Sequence, residues 1–181
     1  MSPESWDVPV TEDGRRSLIE LVARYRASGQ TRELGVCLAR LAHCVKHVGT
    51  EDGADAFPAS AGFGREAVDL LRQTGDKSEL ARALRVAAVP LVAGVHHKAL
   101  LSESLAIARE IGDKEEEGWT LFRMTRADGV EGATVEQALA CFEVCGSLAG
   151  KATCLVALGF ERFATVSGAD RRGRRALRTG W

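Results

Sequence analysis

The chain has 181 residues, of which 45% are apolar and 27% charged, a balance that excludes a disordered linker and suits one folded domain. Its 24 Lys and Arg nearly cancel 25 Asp and Glu, so bulk charge directs it neither to nucleic acid nor to a membrane surface. Arg far outnumbers Lys and Asn is absent, a usage that suits a GC-rich bacterial genome.

Residues 1–14 form an acidic segment, with Glu4, Asp7, Glu12 and Asp13 and no basic residue, unlike the start of a secretory leader. Apolar residues then recur at three- and four-residue spacing, which predicts helices over 12–28, 32–48, 62–74, 77–94, 98–111, 115–128, 134–145 and 149–167. Residues 50–63 read as an inserted surface loop. Glycines punctuate the helices. In Gly75-Asp76-Lys77-Ser78-Glu79 and Gly112-Asp113-Lys114-Glu115-Glu116 the glycine suits a left-handed helix stop, and the aspartate caps the next helix with a glutamate three residues on. Thr134 with Gln137 repeats that capping pattern. Pro90 falls inside the fourth predicted helix and kinks it or ends it early. It also interrupts the longest apolar run, Val86 to Val95, which is about half of the roughly 20 residues a membrane helix needs. Residues 168–181 are a basic tail, with Arg171, Arg172, Arg174, Arg175 and Arg178 against Asp170. Cysteines are odd in number (Cys37, Cys44, Cys141, Cys145 and Cys154) and read as buried thiols of a reducing compartment, so the cytoplasm is the expected location.

The helices repeat. Aligned on Gly29, Gly75, Gly112 and Gly146, the segments carry a small residue six positions on (Gly35, Ala81, Gly118, Ala152) and leucine nine positions on (Leu38, Leu84, Leu121, Leu155). Thirteen positions on come Ala42, Ala88, Thr125 and Gly159. Upstream, Leu71, Ala108 and Phe142 lie four residues before their glycines, as Tyr25 does before Gly29. The anchors are 46, 37 and 34 residues apart. A period near 34 with small residues at helix–helix contacts resembles the tetratricopeptide repeat over residues 15–167. The resemblance implies an all-α, right-handed superhelix of about four antiparallel helix pairs, with the first helix of each pair lining a concave face.

Residues seven, ten, fourteen and seventeen after each glycine should then face the groove. These are Val36, Ala39, His43 and Lys46; Arg82, Arg85, Val89 and Val92; Trp119, Phe122, Arg126 and Gly129; and Thr153, Val156, Phe160 and Phe163. Trp119, Phe122 and Arg126 share one stripe, flanked by Arg82 and Arg85, and Trp and Arg are enriched at binding hot spots. Such a surface suits a peptide with an apolar anchor and a carboxylate that Arg grips in bidentate fashion. The competing reading packs Trp119 and Phe122 into the core.

Catalytic signatures are missing from the sequence: there is no nucleophile elbow, Walker loop or Rossmann glycine triplet. His43 and His47 are spaced to share a metal, but the Glu of a metalloprotease motif does not follow His43. His96-His97 sits at a predicted turn, where adjacent side chains diverge, and Cys141 and Cys145 suit an apolar helix face. The expected function is a non-catalytic module that binds a protein or peptide partner in its groove, through Arg82, Arg85, Trp119, Phe122, Arg126, Phe160, His43 and Lys46. Neither cofactor nor metal is expected, nor nucleic acid or a membrane as partner. The alternatives are a nucleic-acid-associated or regulatory scaffold acting through the basic tail, and a metal or redox sensor built on His43, Cys44 and His47.

Overall fold

The computed structural model describes residues 10–50, 55–88, 97–125 and 134–160. They form α1 (Glu12–Ser28), α2 (Thr31–Val48), α3 (Ala56–Thr74), α4 (Lys77–Ala87), α5 (His97–Ile111), α6 (Lys114–Thr125) and α7 (Val135–Cys145). A further helix, α8, runs from 148 to 160, the last described residue. Among the described residues there is no strand, and the architecture is all-α.

Local chemistry starts and stops the helices where the glycine pattern places them. Asp76 accepts from the Glu79 amide at 3.1 Å and Asp113 from the Glu116 amide at 2.9 Å, satisfying N–H groups that have no partner within the helix. Thr134 and Gln137 form a reciprocal capping box. Gly29, Gly75, Gly112 and Gly146 take φ between 68° and 75°, a conformation that side-chain-bearing residues resist.

Two expectations need correction. Half of the supposed loop at 50–63 is helix, because Asp55 caps α3 and accepts from the Phe57 amide at 3.0 Å. Pro58 sits in the first turn, where its missing N–H costs nothing. This turn is packed: the Ser60 hydroxyl donates to the Ala42 carbonyl at 2.8 Å, and Ala61 is fully buried. A Cβ on Gly64 would meet the Ala87 Cα at 2.8 Å, so only glycine lets α3 and α4 approach this closely. The second correction is α4, which ends at Ala87 rather than at 94, three residues short of Pro90. Of the two outcomes expected for Pro90, a kink or an early stop, the early stop is the one realised. The start of the acidic segment, the tail at 168–181 and residues 89–96 and 126–133 lie outside the described residues.

Consecutive helices pack on each other, and α2 also touches α4 as α4 touches α6. No backbone contact joins α1 to α3, α3 to α5 or α5 to α7 among the described residues. One apolar cluster fills α1 to α4 around Leu38, Leu41, Leu71 and Leu84. A second joins Leu101, Leu105, Leu121, Phe142 and Cys154, and Leu100 packs against both. No described helix is long and apolar enough to cross a membrane.

Candidate functional site

α2, α4 and α6 meet in a charged face. Glu116 of α6 is 2% exposed and accepts two hydrogen bonds from Arg85 of α4, at 2.6 Å from Nε and 3.1 Å from Nη2. Arg82, one turn earlier on α4, lies 3.3 Å from Glu79 and 3.6 Å from Asp113. Burial costs a carboxylate several kcal/mol unless a cation and hydrogen bonds compensate, and Arg85 supplies both. The neighbouring Thr120 hydroxyl donates to Glu116 at 3.3 Å, and Ser104 and Thr120 oxygens lie 2.9 Å apart beneath it.

Beside this network the balance changes sign. His43, Lys46 and His47 occupy the last two turns of α2, and their cationic neighbours are Arg85 and Arg123. Burial, then repulsion from His47, Lys46 and the two arginines, pushes the His43 pKa down from 6.5 to about 4. Burial, then Arg123 and Arg85, lowers Lys46 from 10.5 to about 8. His47 is lowered too, by burial and then Lys46. The two imidazoles lie 4.7 Å apart at 60°. Among the described residues Lys46 forms no ion pair, and no three His, Cys, Asp or Glu side chains gather as a metal site would need. Arg123 donates to the Ala88 carbonyl at 2.8 Å, closing the end of α4.

The expected groove residues do not share one surface. His43, Lys46 and Arg85 come together, whereas Arg82 and Arg85 are held by Glu79, Asp113 and Glu116 of their own chain rather than reaching outward. Trp119 packs its ring 4.9 Å from that of Phe142 in α7 and meets Phe122 edge-on at 6.5 Å, so both aromatics serve the second core. Val36 and Ala39 are buried and do not line a groove. Phe160 is 70% exposed, but on α8, far along the chain from the cationic face. Arg126, Val89, Val92, Gly129 and Phe163 lie outside the described residues. Arg123 and His47 belong to the face and were not expected there. Arg123 stands one position beyond the counted stripe, a shift of about 100° around the helix. The thiols of Cys37, Cys44, Cys141 and Cys154 are pushed up by burial, away from the thiolate that redox or nucleophilic chemistry needs.

No protein-family model, no curated protein and no solved structure matches this chain.

Proposed function

We propose that this protein is a non-catalytic interaction module whose α2–α4–α6 face holds an acidic segment of a protein partner. The observation that carries the reading is Lys46, part-buried at the end of α2 beside Arg123 and Arg85, with no carboxylate paired to it among the described residues. An incoming Asp or Glu relieves that repulsion, and part-burial makes the contact stronger than one in open water. The tetratricopeptide resemblance supports the same face. A right-handed curl of helix pairs would bring α2, α4 and α6 close on its inside, and these are the alternate helices whose backbones touch. Five free thiols suit a cytoplasmic setting.

Fluorescence anisotropy with a labelled glutamate-rich peptide tests the reading. Saturable binding should weaken with salt, and Lys46→Glu should lose roughly thirtyfold or more in affinity while melting no lower than wild type. Wild type that shows no saturable binding, or Lys46→Glu that binds equally well, removes the assignment.

A further inference from the structure

α8 repeats the pattern of α2, α4 and α6, yet among the described residues nothing covers the face that pattern builds. In the first three helices the small residue and the leucine, Gly35 with Leu38, Ala81 with Leu84 and Gly118 with Leu121, are buried. They are buried because the next helix in the chain lies on them. Leu71 of α3 fits against Gly35, Ser104 of α5 donates to the Ala81 carbonyl at 2.8 Å, and the Phe142 ring of α7 sits on Gly118. The matching residues of α8, Ala152 and Leu155, are exposed. So are Leu148, Val156 and Phe160, at 77%, 60% and 70%, and Val144 at the end of α7, at 74%. The opposite side of α8 is the one that packs, through Gly150 beneath Phe142 and through buried Cys154.

We propose that this face is a self-association surface, on which two copies of the chain pair α8 against α8 in antiparallel fashion. Leu148, Ala152, Leu155 and Gly159 are spaced four, three and four apart, which lines them into one seam. Large and small residues alternate along it. An antiparallel partner whose two-fold axis passes between residues 153 and 154 sets Leu148 opposite Gly159, and Ala152 opposite Leu155. Every layer then places a leucine over a small residue, the complementarity that lets helices interdigitate at close range. Val156 falls opposite the alkyl stem of Lys151, and Phe160 opposite Ser147.

The size of the face and the other end of the molecule favour this occupant. The exposed apolar side chains amount to something on the order of 600 Å² per chain, the top of what a monomer's largest patch reaches and near the 800 Å² per partner of a standard interface. At the far end, α1 turns Arg16, Ser17, Glu20 and Arg24 outward around Ile19, which is 39% exposed, so it offers only a small, charge-flanked apolar surface for a head-to-tail stack. A self-complementary face therefore closes as a two-fold pair rather than extending into a filament. The Arg-rich segment 168–181 has no carboxylate to meet on this seam, whose only charge is Lys151.

Sedimentation equilibrium of the full chain, from micromolar to submillimolar concentration, should give the mass of two chains. Leu155→Glu should weaken the dimer by roughly thirtyfold or more and leave the far-ultraviolet helical signal unchanged, since Leu155 is already 59% exposed. Gly159→Leu should also break the pair, and Leu148→Ala added to it should restore pairing, because the large and small partners have exchanged sides. Wild type that stays monomeric at submillimolar concentration overturns the proposal, with residues 161–181 then the candidate cover for the face. A dimer insensitive to Leu155→Glu overturns it equally, and failure of the double variant to recover overturns the antiparallel register.

Discussion

The even-numbered helices and the odd-numbered ones use the same arginine–glutamate chemistry in opposite settings. Between α4 and α6, Arg85 and Glu116 are 14% and 2% exposed, and backbone contact closes the row around them. Between α3 and α5 there is no backbone contact, and Arg72 reaches Glu103 at 2.8 Å and 2.9 Å with 48% and 39% exposure; Arg26 and Glu66 bridge α1 to α3 likewise. The comparison teaches that geometry alone does not rank these pairs. Arg85 uses two nitrogens and Arg72 shares one, Nη2, between both carboxylate oxygens, but only the even-row pair is shielded from water, so only there does removal of one partner strand a charge.

The sharpest test of that contrast is Glu116→Ala. It leaves Arg85 facing Arg82, Arg123 and Lys46 in a part-buried site, and urea unfolding should show a loss of about 3 kcal/mol or more. A loss below about 1 kcal/mol would place the even row on the same footing as the odd row. Next in size is the close approach that shuts water out. A Cβ on Gly118 would lie 2.8 Å from the Phe142 ring, so Gly118→Leu should cost roughly 1–3 kcal/mol by overpacking the α6–α7 seam. Melting at the wild-type temperature would show that Phe142 swings aside freely.

Much of the even row is legible in the sequence, because glycine anchors, small residues and leucines at fixed offsets each have a local physical meaning. Leu38, Leu84 and Leu121 are buried as their spacing implies. Leu155 obeys the same spacing and is exposed, since periodicity marks a face that can be covered and says nothing of what covers it. The first turns of α3 were hidden for a different reason: Ala59, Ser60, Ala61 and Gly64 pack by being small, and they leave no amphipathic signature. Arg82 and Arg85, expected to face a groove, are paired with Asp113 and Glu116 at the start of α6. There a signal did exist. Arg85 to Glu116, Arg82 to Asp113 and Arg72 to Glu103 are each 31 residues apart, close to one repeat, so an arginine one unit ahead of a carboxylate foretells an internal pair. Lys46 and His43 are the residues of the face for which no such carboxylate pairs among those described.

The third test uses protons instead of substitutions. His43 is neutral in the folded chain down to about pH 4, whereas unfolded histidine takes its proton near 6.5. Between those values the unfolded state binds a proton that the native state refuses, so stability falls as the pH drops through that window and levels off below it. Allowing for a part-exposed ring, the loss should be about 1–2 kcal/mol, and His43→Gln should remove it. Lys46 works at the other end. Its lowered pKa means stability falls from pH 10.5 down to about 8 and is flat below, so it adds nothing to the acid limb. An unchanged acid slope in His43→Gln would mean that the α2 end is far wetter than its packing implies.

The smallest expected effect closes the contrast from the odd side. Arg72 donates from Nη2 to both carboxylate oxygens of Glu103, yet each side chain remains open to solvent. Water already solvates both groups in the unfolded chain, and pairing fixes two long side chains at an entropic cost close to the Coulomb gain. Arg72→Ala should therefore cost no more than about 0.5–1 kcal/mol, and a double-mutant cycle with Glu103→Ala should return a coupling in the same range that shrinks in salt. The diagnostic quantity is the ratio to the same cycle at Arg85 and Glu116. Should the two couplings agree within error, solvent screening would not be what separates the rows, and the absence of backbone contact between α3 and α5 would have to be explained by something other than a gap that water enters.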